Sequence, residues 1–419
     1  MNRQISNIGK EDYVLHPCWK VIILAESWFI EIAKGIGRLF LNPVFYWTFV
    51  LILLAGYKRI HRERINFGFK LFDVFSEWKN TWFLSIFSGL LISIVLVGSG
   101  MIFSYETIIL LSIVTIGLSI TLRFSMLSAS YTIGITYMIL LLMPFILEQQ
   151  NIVEDDMFSN TNFVGLSLLV AIFLSVEAFL MKRITRNTTF PDLELGRRGV
   201  WTGMHHIKKL SIIPFFVVIP SGLITPIVPF WPYFGMNGET YSLLLVPFLL
   251  GFDHIVRGSI PEKAAVHIAR SIHILSLFVL MLAVGSIYVG WLSLVAVVVA
   301  ILGREYINYK HRISDKEKPN YFNKNERGLK VLAIIPGTPA DRLGILVGET
   351  IVKVNRQNIN NMDEFYYGLQ DSGAFFKLEI IGDNGEIRYV QSALYEEDHH
   401  ELGIISTSNR YQNNQTEAN

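Results

Sequence analysis

A few short patterns in this chain contain the residue types that proteases use for catalysis inside membranes. A zinc protease needs His-Glu-x-x-His, in which the histidines hold the metal and the glutamate is the base, and no such pattern occurs. His267 and His273 have no acidic residue nearby at the spacing of that pattern. Asp253 lacks the directly preceding glycine that aspartyl intramembrane proteases use. Ser99 and Ser221 adjoin glycines, but such pairs commonly permit close helix packing. The patterns predict no catalytic residue, so we expect a protein that is not an enzyme.

Metal and cofactor sites have equally little support. The chain contains one cysteine, Cys18, so neither an intramolecular disulfide nor a thiolate metal cluster can form. The pairs His205-His206 and His399-His400 would need further ligands to hold a metal. We therefore expect both pairs to be solvated, and we expect no metal and no cofactor.

The composition indicates a membrane protein with a soluble C-terminal part. The 419 residues are 51% hydrophobic and 17% charged, with a mean hydropathy of +0.41, whereas about a quarter of the residues of a soluble protein are charged. The long apolar runs lie before about residue 303. The net charge of +1 favours neither a nucleic acid nor another acidic partner.

The apolar runs predict a membrane region over residues 41–303 with about six to eight spans, since each spanning helix needs about 20 mainly apolar residues. The candidate spans are 41–57, 82–103, 107–122, 126–147, 163–181 and 210–234, with a short segment at 242–256 and a long one at 272–302. The long segment is interrupted at Gly285-Ser286, so either one tilted span or a hairpin of two is compatible with it. Residues 1–40 contain a mixed apolar and charged stretch at 19–40, which predicts an amphipathic helix lying in the interface. A polar helix that spans the membrane is the alternative.

The distribution of basic residues predicts the orientation of the protein in the membrane. Loops 58–81 and 182–209 are rich in Lys and Arg, whereas loop 148–162 is acidic. Basic loops stay in the cytoplasm. The predicted basic linker, 304–327, therefore places the C-terminal domain in the cytoplasm.

A transporter is a further functional class to consider, because polar groups inside spans mark transport pathways. We expect Glu177 to reach the surface beside Lys182, and Asp253 and His254 to be interfacial. Five prolines would kink the predicted span 210–234, and broken helices do line transporter sites. Those prolines are Pro214, Pro220, Pro226, Pro229 and Pro232. No charge accompanies them, so a structural kink is the preferred interpretation.

Residues 328–406 have the pattern of a small α+β domain, followed by a polar tail at 407–419. The predicted elements are a strand at 328–335, a short helix at 340–343, a strand at 350–354, a helix from Asn361 to about Gln370, and a hairpin of 375–381 with 386–393. Ile335-Pro336-Gly337-Thr338-Pro339-Ala340 and Gly344-Ile345-Leu346-Val347-Gly348-Glu349 resemble the core of a bacterial PDZ domain. The fold class is therefore a polytopic α-helical membrane domain plus a PDZ-like domain of five to six strands and two helices.

The PDZ resemblance implies a groove that takes an extended peptide or protein C-terminus as an added strand. A loop at Leu402, Gly403 and Ile404 resembles the carboxylate loop of circularly permuted PDZ domains, and Gly328-Leu329 is the alternative. The opposite wall would be the helix face formed by Met362, Phe365 and Leu369. These side chains could instead simply close the domain core.

The N-terminal half resembles the MinJ family of Firmicute division-site adaptors, which combine a polytopic membrane region with a C-terminal PDZ domain. The resemblance is carried by Asn42-Pro43-Val44-Phe45-Tyr46-Trp47, by Gly56-Tyr57-Lys58-Arg59-Ile60-His61-Arg62-Glu63-Arg64, and by Arg123-Phe124-Ser125-Met126-Leu127-Ser128-Ala129-Ser130-Tyr131-Thr132-Ile133-Gly134.

This resemblance implies a scaffold that positions the Min division inhibitor at septa and poles through protein–protein binding. Its expected partners are a DivIVA-like polar scaffold, a MinD-like ATPase and the lipid bilayer. The alternatives are a membrane transporter with a regulatory PDZ domain and a PDZ-containing intramembrane protease.

Overall fold

The computed structural model describes residues 17–147, 160–196, 199–225, 231–232, 240–323, 327–371, 375–393 and 402–407. Most of the predicted acidic loop, the polar tail beyond Thr407, and the pair His399-His400 lie outside these residues.

Apolar helices dominate the chain before residue 320, as the composition predicts. They are α1 Pro17–Leu39, α2 Pro43–Phe67, α3 Trp82–Ser99, α4 Tyr105–Ser119, α5 Ala129–Leu147, α6 Asn160–Lys182, α7 Pro261–Gly285 and α8 Leu292–Glu317. Within the described residues, α2, α3, α6, α7 and α8 are long and apolar enough to cross a membrane, and α4 and residues 129–144 are shorter apolar helices. The amphipathic N-terminal stretch is helical, as predicted.

A long β-hairpin runs between these helices. Strands β1 (Phe190–Leu195), β2 (Trp201–Ile224) and β3 (Tyr241–Val256) form an antiparallel sheet in that order. The prediction of a spanning helix at 210–234 was therefore wrong, because its residues up to Ile224 belong to β2. The short segment 242–256 lies in the partner strand β3.

The prolines explain why this apolar run is a strand. Proline in a helix interior costs about 3 kcal/mol, whereas in an antiparallel pair every second N–H points away from the partner strand. Pro214 lies directly opposite Pro247. Neither residue has an N–H to lose at this position, so the ladder continues undisturbed.

Helices close both edges of the hairpin. On the β2 side, α3 approaches so closely that a Cβ on Gly89 would lie 2.0 Å from the Pro214 carbonyl oxygen. Ser93 of α3 accepts a hydrogen bond from the Phe216 N–H at 2.8 Å. On the β3 side, a Cβ on Gly35 of α1 would lie 2.9 Å from a backbone oxygen of β3. Strand edges inside a bilayer need such cover, because no water is there to satisfy them.

The long segment 272–302 is a hairpin of two helices. Helix α7 ends at Gly285 and α8 begins at Leu292, so the chain is interrupted where the Gly-Ser pair predicts. Each helix extends well beyond the apolar segment, and α8 continues to Glu317. The prediction of a linker at 304–327 was wrong for 304–317, since polarity does not prevent a helix whose inward face is buried, as Arg304 and Asp315 are.

The C-terminal domain has the predicted order of strand, short helix, strand, longer helix and hairpin. Its elements are β4 Leu329–Lys330, β5 Ala333–Ile334, α9 Pro339–Arg342, β6 Thr350–Val354, β7 Gln357–Asn358, α10 Met362–Gln370, β8 Phe375–Ile381, β9 Ile387–Ala393 and β10 Ile404–Ile405. The predicted first strand is divided into β4, which pairs with β6, and β5, which pairs with β10.

Candidate functional site

Local sequence features determine where helices end and where the chain turns in the C-terminal domain. Asn361 caps α10, because its side-chain oxygen accepts the N–H of Glu364 at 2.8 Å. Gly344 adopts a φ of +65° just after α9. The turn between β6 and β7 places Asn355 and Arg356 at φ values of +45° and +75°. Arg356 thus occupies a left-handed position, where many PDZ domains have glycine.

The predicted groove residues lie together in the interior of this domain. Met362, Phe365 and Leu369 project from α10, and each is at most 7% exposed. They share one apolar cluster with residues of both predicted carboxylate loops. Those residues are Leu329, Leu402 and Ile404. The predicted positions therefore converge in space, and their side chains also form the domain core.

The two predicted loops differ in their position in the sheet. Gly328 precedes β4, and Leu329 is the first residue of that strand. Strand β4 pairs with β6, and the chain then continues directly into β5, which pairs with β10. Among the described strands, β10 pairs only with β5. Gly403 has a φ of +82°, and its carbonyl accepts the N–H of Ile335 at 2.9 Å. Strand addition needs an edge that pairs with no further strand. Among the described strands β10 meets this condition, and residues 402–406 are buried.

An apolar interface joins the PDZ domain to the membrane region, and we call it the docking interface. Ile404 points into the PDZ core, whereas its neighbour Ile405 packs against the membrane region. The docking interface contains Phe67, Leu71, Phe72, Phe190, Leu193, Phe322, Leu332, Ala333, Val347 and Ile405. Strand β10 is thus held between the PDZ core and the membrane region.

Polar contacts of residues 186 and 187 fix the orientation of the docked domain. The Asn187 side-chain N–H donates to the Ile345 carbonyl at 3.0 Å, and its oxygen accepts the Val347 N–H at 3.1 Å. Arg186 donates two hydrogen bonds of 3.2 Å to Asp383 in the β8–β9 turn. Sequence reasoning missed these residues because it interpreted loop 182–209 only as a topology signal.

A second cation also contacts Asp383. The Lys263 ammonium lies 2.6 Å from this carboxylate. The hydrogen bond from Lys263 and the charge of Arg186 lower the pKa of Asp383. The carboxylate is therefore ionised at neutral pH and links the PDZ domain to both the loop after α6 and the start of α7.

The prediction that His205 and His206 are solvated was wrong. Alternation along β2 turns His205 inward, where it packs on Phe322 at 4.7 Å and shares a 2.9 Å hydrogen bond with Thr189. Burial lowers the pKa of His205 to about 3, so this ring is neutral.

His206 points to the opposite face of the strand and lies between two carboxylates. Its ring nitrogens lie 3.1 Å from Asp253 and 3.4 Å from Asp192. Burial opposes protonation, but the hydrogen bonds and charges of the two carboxylates outweigh it and raise the pKa of His206 to about 9. This ion triad of Asp192, His206 and Asp253 joins β1, β2 and β3.

A buried ion pair lies deeper in the membrane region. Arg304 of α8 donates to Glu177 of α6 at 2.7 Å, and Ser128 donates to the same carboxylate at 2.6 Å. Both charged side chains are 0% exposed. The prediction that Glu177 reaches the surface was wrong, because Arg304 lies at the same level of the helical bundle.

Comparisons with known proteins agree with this architecture. The PDZ domain family matches residues 330–380. The chain is 35% identical over 390 residues to the cell division topological determinant MinJ of Bacillus subtilis strain 168, which covers 91% of this chain and 96% of that protein. Two proteins named probable cell division topological determinant MinJ, from Lacticaseibacillus paracasei and Lacticaseibacillus casei strain BD-II, are 29% identical over 80 residues. That match covers 19% of this chain and 22% of each relative.

No solved structure matches the chain. The B. subtilis similarity nonetheless extends through both the membrane region and the PDZ domain, and it favours neither the transporter nor the protease alternative. This nearly complete coverage confirms the resemblance noted in the sequence: the chain belongs to the MinJ family.

Proposed function

We propose that this protein is a membrane-anchored adaptor that positions the Min division inhibitor system at septa and poles. The observation that carries the proposal is the similarity to a division topological determinant over 96% of that relative's length. A PDZ domain is a binding domain, so the adaptor acts by holding partners, and no covalent bond is made or broken.

In this proposal the parts of the chain have separate roles. Residues 1–40 contact the membrane interface, and 41–303 cross the membrane several times and anchor the protein. Residues 328–406 form the cytoplasmic binding module. Support for the cytoplasmic side comes from loops 58–81 and 182–209, because both lie at the end of the bundle that contacts the PDZ domain.

The proposed partners are a DivIVA-like polar scaffold and a MinD-like ATPase, by family resemblance. We further propose that the unpaired edge of β10 receives an extended chain end, with Leu402, Gly403 and Ile404 at the carboxylate and Met362, Phe365 and Leu369 along α10. The support is the convergence of these residues and the unshared side of β10.

The first test is replacement of MinJ in B. subtilis by this chain carrying a C-terminal fluorescent protein that matures only in the cytoplasm. We expect bands at septa and poles, with division sites restored to their normal positions. An even signal along the membrane without restored division sites would contradict the adaptor role. Full-length protein without fluorescence would contradict the cytoplasmic topology.

A second test addresses the groove in the purified full-length protein. We expect a peptide from the C-terminus of a co-purified partner to bind with a free carboxylate and to lose at least tenfold in affinity when that carboxylate is amidated. Equal binding of both peptides in fluorescence anisotropy would exclude recognition of a chain end. The division role would then rest on other surfaces.

A further inference from the structure

A cleft of about 310 Å³ separates the ends of α7 and α8 that lie nearest the PDZ domain. Hydroxyl groups of Ser259, Ser271 and Tyr306 line it, together with the cationic side chains of Lys310 and Lys318. Such a lining of amines and hydroxyls is suited to the oxygens of a phosphate group.

The cleft carries excess positive charge. Its one lining carboxylate, Asp315, is 4% exposed and accepts the backbone N–H groups of Arg257 and Gly258 at 2.9–3.1 Å. Lys310 and Lys318 are exposed, and their ammonium groups make no hydrogen bond or ion pair within the part of the chain that the structure describes. Two ammonium groups are thus available to an incoming anion.

The position of the cleft along the helices matches a membrane surface. Trp291 is 67% exposed at one end of α8, and Tyr306 and Tyr309 are 62% and 57% exposed further along it. At 1.5 Å per residue these aromatic positions are separated by about 22–27 Å, close to the ~30 Å hydrocarbon core. Exposed Trp and Tyr mark the two interfaces of a bilayer.

The exposed apolar side chains of α7 place the membrane surface at the same level as the aromatic residues of α8 do. Its exposed apolar side chains extend from Ile274 to Val284 and include Leu277, Phe278 and Met281. The cleft begins at Ser271, directly beyond this apolar stretch. Lys310 therefore lies at the level of the lipid phosphates, Lys318 follows about 12 Å further along the helix axis, and the cleft opens beside the lipid-facing surface.

We propose that the α7–α8 cleft binds the headgroup of one anionic phospholipid, with Lys310 and Lys318 on the phosphate and Tyr306 as a hydrogen-bond donor. A cluster of cations at a membrane interface is the feature that recognises such lipids. This site does not depend on the division role, on the peptide groove or on the side of the membrane.

The test uses full-length protein in phosphatidylcholine nanodiscs with a small fraction of phosphatidylglycerol, and native mass spectrometry counts the retained lipids. We expect wild type to retain one phosphatidylglycerol. Each of Lys310→Gln and Lys318→Gln should weaken retention about fivefold, and the double variant about 25-fold, from about 1 kcal/mol per cation. The matched control is Arg312→Gln with Lys316→Gln, which removes two charges from the same turns of α8 outside the cleft.

Retention that falls equally in the cleft and control variants would overturn the proposal, since the lipid would then respond to surface charge alone. Equal retention by wild type and the cleft variant would also overturn it. A further arm adds glycerol 3-phosphate to protein in neutral detergent. Binding of this soluble phosphate as tightly as the lipid would overturn the assignment to a membrane ligand.

Discussion

His206 shows how one protonated side chain can hold three strands together. Its pKa is raised to about 9 by Asp192 and Asp253, so its contribution to stability is fully present below pH 6.5 and is lost as the pH rises through 9. Lys209, whose pKa burial lowers to about 8, changes stability in the opposite direction over this window. A variant comparison is therefore needed to isolate the histidine.

We expect His206→Gln to remove roughly 2–3 kcal/mol of stability at pH 6.5 and much less at pH 9.5, because the charged contacts exist only while the ring is protonated. Thermal unfolding in detergent at both pH values measures this difference. The matched control is His205→Gln, since His205 stays neutral throughout the window and its loss should not change the pH dependence. An equal effect of His206→Gln at both pH values would contradict the ion triad.

The buried pair Arg304–Glu177 predicts a larger loss. Glu177→Gln leaves the Arg304 guanidinium buried without a counter-charge, and breaking such a pair costs about 3–5 kcal/mol. Glu305→Gln is the control, because Glu305 accepts from Tyr131 at the protein surface and should cost less than about 1 kcal/mol. Similar unfolding midpoints for the two variants would show that Arg304 finds another partner.

At the scale of elements, the hairpin of β2 and β3 depends on the helices that cover its edges. Ser93 and Gly89, on one face of α3, contact strand β2 rather than another helix. A polar and small-residue stripe in an apolar helix can therefore complement a strand edge.

Gly89→Ala should destabilise the protein by about 1–3 kcal/mol or more, because the new methyl group meets a backbone oxygen that cannot rotate away. Gly98→Ala on the same helix is the control, since nothing lies within 4 Å of its Cβ position. This change should be neutral or slightly stabilising. Equal unfolding midpoints for the two variants would contradict the close approach of α3 to β2.

At the scale of the whole molecule, the PDZ domain is packed on the membrane region through the docking interface. Its strand β10 has one face in the PDZ core and the other in that interface. An occupant of the β10 edge would therefore contact a strand that both parts of the protein hold in place.

Combining Arg186→Gln with Asn187→Ala should loosen the docked domain, because both changes remove polar contacts that fix its orientation. We expect at least tenfold faster hydrogen exchange at Phe72 and Leu332 in the docking interface, with unchanged exchange in α10. Lys353→Gln, which removes an ion pair within the PDZ domain, should leave the docking interface protected. Unchanged protection at Leu332 in the double variant would show that the apolar contacts alone hold the domain.

Docking should also respond to acid. Because Lys263 and Arg186 lower the pKa of Asp383, its contribution is present above about pH 4 and is lost as the pH falls further. The same exchange measurement at pH 5 and at about pH 2.5 would detect the loss, because the pH must fall below the lowered pKa of Asp383.

Local patterns in the sequence determined much of this molecule. The apolar runs of α2 to α6, the break at Gly285, the Asn361 cap and the order of the PDZ elements each follow from contacts between residues close in the chain. The family resemblance could likewise be read from short motifs.

Only the tertiary structure decided the rest. The run 210–224 is apolar enough for a helix, and it is a strand because β3, α3 and α1 supply its hydrogen bonds and cover. The ion pairs of His206 and Glu177, and the docking through Asn187, depend on partners far away in the chain. Charge and hydropathy patterns do not contain such pairings, because a polar side chain has the same local signature whether water or a distant residue satisfies it.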